Sequence, residues 1–169
     1  MSDLEVLRHT IAEIIPFNRA LDISITSVSP DRVELMQPEN SERLNTVGDV
    51  HTSASTIFML GEAAAEAMVI HAFRKLIRDE GIVPFVVKTT INYQRPTRGK
   101  QHSVCTLSHE EQSRAYDEML HTGHTRFTVA THVLEESGKL VADLESLWGL
   151  RKPRATELQW LDHTERNNG

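Results

Sequence analysis

Apolar residues return every three or four positions at the start of the chain and every second position soon after. Leu4, Leu7, Ile11, Ile14 and Ile15 form one helical stripe behind Ser2 and Glu5, which have capping-box spacing. They predict a short amphipathic helix within residues 1–18, ended by Pro16. At Leu21 the period drops to two: Leu21, Ile23 and Ile25 alternate with Asp22, Ser24 and Thr26, the pattern of a half-buried strand. Ser29-Pro30-Asp31 supplies a turn, and the alternation about Val33 and Leu35 predicts a second strand returning as a hairpin. Residues 37–50 are polar and aperiodic, a long loop of the kind that often carries function.

From Thr52 to about Asp79 the chain is dense in Ala, Met, Leu and Ile and has no proline. The spacing predicts one long helix with Gly61 as its weak point. Its apolar residues go most of the way round, so it needs cover on several sides. Gly81 stops it. Runs favouring strands follow at Ile82–Tyr93, His102–Leu107, Thr125–Leu134 and Lys139–Leu150, the last two joined by a turn at Glu136-Ser137-Gly138. Between them, Glu110–His121 predicts one or two helical turns. The charged tail beyond Arg151 is expected to be partly disordered over 155–169. The order gives an α+β fold, an antiparallel sheet of about six strands curling round one long central helix, which covers the helix and buries one face of each strand.

Composition narrows the class. A length of 169 residues is about one domain at roughly 150 residues each, so 1–169 is expected to be a single domain. The net charge of −6 disfavours binding of nucleic acid by charge neutralisation. The lone Cys105 can form no internal disulfide, which fits a reducing cytoplasm. The most apolar window, Ala54–Phe73, contains Glu62, Glu66 and His71, so no membrane span is expected. The acidic Met1–Glu5 does not resemble a signal peptide. His121, His124 and His132 lack the Cys or carboxylate company of a metal site, and no metal is expected.

The run Asn45-Thr46-Val47-Gly48-Asp49-Val50-His51, followed by a buried helix containing Leu60-Gly61-Glu62-Ala63, resembles hotdog-fold acyl-CoA thioesterases of the phenylacetate-pathway type and their thioesterase-like relatives. Those proteins carry an Asn, a His-Gly-Gly type turn six residues on, and an acid about two turns into the central helix. Lys88–Pro96 looks like their central strand, and Glu135–Ala142 like their last hairpin. The resemblance covers roughly residues 20–150. It implies a hotdog fold, hydrolysis of acyl-CoA with no cofactor beyond the substrate's own coenzyme A, and a site between two protomers of a homodimer or a dimer of dimers.

Thioester hydrolysis needs a carboxylate to activate water or attack the carbonyl, and donors for the oxyanion. Glu62, in an alanine-rich helix where an unpaired acid is costly, is the candidate carboxylate; its plainer role is to fill a gap or pair with a base on a partner chain. The amides of His51, Thr52 and Ser53, at the helix start, are candidate oxyanion donors. By the resemblance, Asn45 orients water or the thioester carbonyl, and a hydroxyl near Thr89 or Thr90 completes the site. Glu66, one turn on, is the next acid. Two departures stand out. Thr52-Ser53 replaces the Gly-Gly pair. Glu62 also lies eleven residues after His51, roughly two more than in the family, a rotation of about 200°. Either the helix starts near Ser53 or Ala54, or Glu62 is not the acid. Arg95, Arg98 and Lys100 at one strand end, and Arg151, Lys152 and Arg154 at another, suit coenzyme A phosphates. The alternatives are a non-catalytic acyl-CoA-binding protein of the same fold, and a hotdog dehydratase or hydratase using His51 with Glu62.

Overall fold

A computed structural model describes residues 4–5, 7–9, 16–40, 44–45 and 50–154. Residues 4–5 and 7–9 are helical. Pro16 opens a helix, α1 (Pro16–Ala20); whether the first helix stops before it lies outside the described residues. Proline fits the first helical position, where its missing N–H has no intrahelical partner anyway. The expectations for Ser2, Ile11, Ile14, Ile15 and residues 155–169 lie outside the described residues.

Strands β1 (Ser24–Ser29) and β2 (Arg32–Gln37) form the expected hairpin, with β1 starting three residues later than the alternation suggests. Leu21 and Asp22 form a turn instead, Asp22 taking a left-handed φ of 52°. The long loop contains a small ladder, β3 (Leu44–Asn45) with β4 (His51–Thr52). The central helix divides into α2 (Ala54–Ala72) and α3 (Arg74–Asp79), broken at Phe73. Then come β5 (Val83–Tyr93), β6 (Gln101–Thr106), α4 (His109–Thr122), β7 (His124–Glu135) and β8 (Leu140–Arg151). The expected one or two turns before β7 are thus a helix of 14 residues. Ser108 caps it by accepting from the Glu111 amide at 3.2 Å, and Gly123 closes it at φ 78°, a conformation glycine adopts without strain.

Six strands form one antiparallel sheet in the order β1-β2-β6-β7-β8-β5. It wraps α2, whose Leu60, Ala64, Met68 and Val69 are fully buried. Gly61 marks a close crossing: a Cβ there would lie 2.6 Å from Leu144 Cδ2 on β8. The weak point of the helix is therefore where helix and sheet touch. Phe73 and Phe127 close the far end of the core, with ring centroids 4.9 Å apart.

Candidate active site

Helix α2 begins at Ala54 behind Ser53, the late start that the spacing of Glu62 from His51 calls for if Glu62 is the acid. That start sets which residues of α2 meet the sheet. Glu62 reaches the end of the sheet where β8 meets the edge strand β5. There Glu62 Oε1 accepts from Thr89 Oγ1 at 2.6 Å and from Ser146 Oγ at 3.0 Å. Thr89 and Ser146 are register partners on β5 and β8, and their hydroxyl oxygens are 3.0 Å apart. Each hydroxyl has one proton, and both protons point at one carboxylate oxygen. Glu62 Oε2 has no hydrogen-bond donor among the described residues. It is left to meet water or substrate. Thr90 points to the other face of the strand and is exposed.

Glu66, half-buried one turn along, has no such donors. Burial first, and the neighbouring Glu62 second, raise its carboxyl from 4.5 to about 7. Cys105, fully buried beneath the helix, is pushed up to about 12 by burial and cannot supply a thiolate at neutral pH.

The helix start differs in detail from expectation. The Thr52 amide donates to Thr97 O at 2.8 Å, and its hydroxyl accepts from Gln101 Nε2 at 2.8 Å. Thr52 therefore anchors the start of α2 and is not an open donor. Ser53 carries the first carbonyl of the helix, accepting from the Thr56 and Ile57 amides, while its hydroxyl meets Ser55 Oγ at 2.7 Å. The amides of Ala54 and Ser55 follow, exposed and without an acceptor among the described residues, as the first turn of a helix requires. Tyr93 Oη, at the end of β5, donates to Ala54 O at 3.0 Å. His51 stands opposite Asn45 across the β3–β4 ladder; the Asn45 side chain lies outside the described residues.

Arg95 is exposed between β5 and β6. Arg98 pairs with Glu39 at 2.9 Å, and Lys100 pairs with Glu136. Arg151 lies 5.7 Å from the centroid of the Phe85 ring. Ser146 was not among the residues singled out in the sequence. Its signal was present as the one hydroxyl among the otherwise apolar inward positions Leu144, Ser146, Trp148 and Leu150. Among the described residues no three His, Cys, Asp or Glu side chains cluster to hold a metal. No described helix is long and apolar enough to cross a membrane.

A family model described as "Domain of unknown function (DUF4442)" matches residues 5–150. The chain belongs to the DUF4442 family. Its fold is the hotdog fold of thioesterase-superfamily structures. This DUF4442 chain is 24% identical to a Pseudomonas aeruginosa protein of unknown function named a probable thioesterase, covering 88% of this chain and 95% of that one, with a TM-score of 0.75. It is 16% identical to the Escherichia coli PaaI protein from the phenylacetic acid degradation operon, over 89% and 94% of the chains, with a TM-score of 0.67. A thioesterase family protein from Silicibacter pomeroyi is 15% identical over 90% and 100%, with a TM-score of 0.66. No curated protein matches the sequence.

Proposed function

We propose that this DUF4442 protein hydrolyses acyl-coenzyme A thioesters, with Glu62 as general base, at a site completed by a second copy of the chain. The observation that carries this reading is the half-buried Glu62 carboxylate, gripped at one oxygen by Thr89 and Ser146 in a helix otherwise lined with alanine. The two hydroxyls hold Oε1 so that Oε2 faces the reaction. Water attacks the thioester carbonyl as Oε2 takes its proton. The tetrahedral intermediate collapses, the C–S bond breaks, and the proton on Glu62 passes to the departing thiolate. The products are a carboxylic acid and a thiol, and Glu62 is ionised again.

The oxyanion donors come from the start of α2. Glu62 is eight positions after Ala54, about 12 Å along a helix, which is too far for both to serve one carbonyl. In this reading the second copy brings its own helix start to Glu62. The outer edge of β5 supports such a partner: it is the sheet's end strand, and it exposes Val86, Val87 and Tyr93. Two chains joined there form the homodimer, and two dimers a tetramer.

Arg95, Arg98 and Lys100 lie beyond the end of β5 and would meet the phosphates of coenzyme A. The pairs Arg98–Glu39 and Lys100–Glu136 are exposed, where such contacts hold by at most about 1 kcal/mol, so a phosphate can displace the carboxylate. The substrate brings its own coenzyme A, and no further cofactor takes part. A cytoplasmic setting, where acyl-CoA is at hand, goes with this reading.

The deciding experiment follows thiol release over a panel of acyl-CoA substrates, for wild type and Glu62→Gln, with the molecular mass in solution measured alongside. Hydrolysis by wild type that Glu62→Gln abolishes is the expected result. Full activity in Glu62→Gln would remove Glu62 from the mechanism. Binding of acyl-CoA with no hydrolysis of any would turn the reading to a non-catalytic acyl-CoA-binding protein.

A further inference from the structure

Where α2 breaks at Phe73, an open groove runs between the β1–β2 turn at Pro30, the start of α3 and the outer side of α4. One part of it, about 310 Å³, is lined by His71, Arg74 and Lys75. An adjoining part, about 370 Å³, continues past Tyr116 to Ser113 and Asp117. Phe73 and Tyr116 line both parts.

This groove is separate from the Glu62 site. Glu62 is held by β5 and β8 at one end of the sheet, whereas Pro30 joins β1 to β2 at the other. Along the chain, Arg74 is twelve positions after Glu62, about 18 Å at helical rise. Nothing in the proposed hydrolysis uses it.

The groove's chemistry is ordered from end to end. Its first part is lined by three basic residues within five positions, His71, Arg74 and Lys75. His71 is only 9% exposed and lies in the last turn of α2. In the middle, the Tyr116 ring stands 37% exposed, its hydroxyl without a partner among the described residues. Phe73, fully buried, forms the floor. At the far end the Asp117 carboxylate can accept from N–H or O–H groups. Cation, aromatic ring and acceptor thus follow one another along a groove of ligand size.

We propose that this groove binds a phosphomonoester carrying a planar ring, of the nucleoside monophosphate kind. The phosphate lies on Arg74 and Lys75, the ring lies against Tyr116, and a ring amine or sugar hydroxyl donates to Asp117. Guanidinium and ammonium groups suit phosphate oxygens, and a flat heterocycle stacks on an exposed tyrosine.

The test is calorimetric titration of the full chain with adenosine monophosphate, with inorganic phosphate and adenosine as separate arms. Adenosine monophosphate should bind with a dissociation constant below about 1 mM and weaken as salt is raised, while phosphate and adenosine each bind at least about tenfold more weakly. The double variant Arg74→Gln, Lys75→Gln should weaken binding about tenfold or more, and Tyr116→Ala several-fold, both with unchanged melting temperature because all three side chains are exposed. Glu62→Gln should leave the affinity as it is, so this result stands or falls independently of thioester hydrolysis. The proposal is overturned by no saturable binding up to about 10 mM, by binding that the double variant leaves unchanged, or by phosphate alone binding as well as the nucleotide.

Discussion

Helix α2 has two faces that do different work. The face against β6, β7 and the middle of β8 is closed, with Leu60, Ala64 and Met68 wholly inaccessible and no charged group among them. The stripe through Ser55, Phe58, Met59, Glu62 and Glu66 is partly open and carries both carboxylates of the helix. The contrast continues within that stripe. Glu62 has two hydroxyl donors from the sheet; Glu66, one turn away, has none and is pushed toward the neutral acid. Burial without donors makes a carboxyl costly to ionise, which is the situation of Glu66, whereas the two hydroxyls fix the position of the Glu62 side chain.

The largest expected effect lies on the open face. Glu62→Gln should lower hydrolysis of a thioester by roughly 10²- to 10⁴-fold, the usual contribution of a general base, with little change in melting temperature. A variant that unfolds instead would make Glu62 a structural acid. On the closed face the expectation reverses. Leu60→Ala should cost about 3 kcal/mol and lower the melting temperature by about 6–12 °C, measured by calorimetry, because the side chain is wholly buried.

Glu66 sharpens the comparison through pH. Its folded carboxyl holds a proton more tightly than the unfolded one, at about 7 against 4.5. The stability it lends is therefore present below about 4.5 and is lost as pH rises through about 7. With partial exposure allowed for, the loss should be about 1–2 kcal/mol. Denaturant unfolding at pH 5 and 8 should show it in wild type, and Glu66→Gln should remove it; the same slope in both would clear Glu66.

A smaller effect should follow from the donors themselves. Ser146→Ala or Thr89→Val should each reduce kcat about tenfold, the loss of one hydrogen bond to a charged group, whereas Thr89→Ser should retain most of it. The smallest belongs to the surface. Arg98→Gln should change stability by less than about 0.5 kcal/mol. It should raise KM for coenzyme A thioesters while leaving short thioesters without phosphates untouched.

The sheet and the central helix were legible because period two and an all-apolar helix leave few ways to satisfy both. The boundaries were less so. Pro16 reads equally as a stop or as the first residue of a new helix, and the break at Phe73, where the ring packs against Phe127, is announced by no local pattern. Helix α4 was under-read although Ser108 and Glu111 have capping-box spacing, because its apolar stripe is thin: only Ala115 and Met119 are buried. For the site, Glu62 and the region of Thr89 were visible, and Ser146 was not. Its meaning depends on lying opposite Thr89, a register between strands 57 residues apart. The role of Thr52 was hidden similarly, in its bonds to Thr97 and Gln101.

The Tyr93 hydroxyl joins the last residue of the edge strand to the carbonyl of the first residue of α2. That bond makes the rim of the sheet a lever on the mouth of the helix: any strand that docks along β5 and shifts Tyr93 shifts Ala54 with it. In the proposed dimer, docking along β5 would thereby move the first helical amides, and Tyr93→Phe is the change that would uncouple the two.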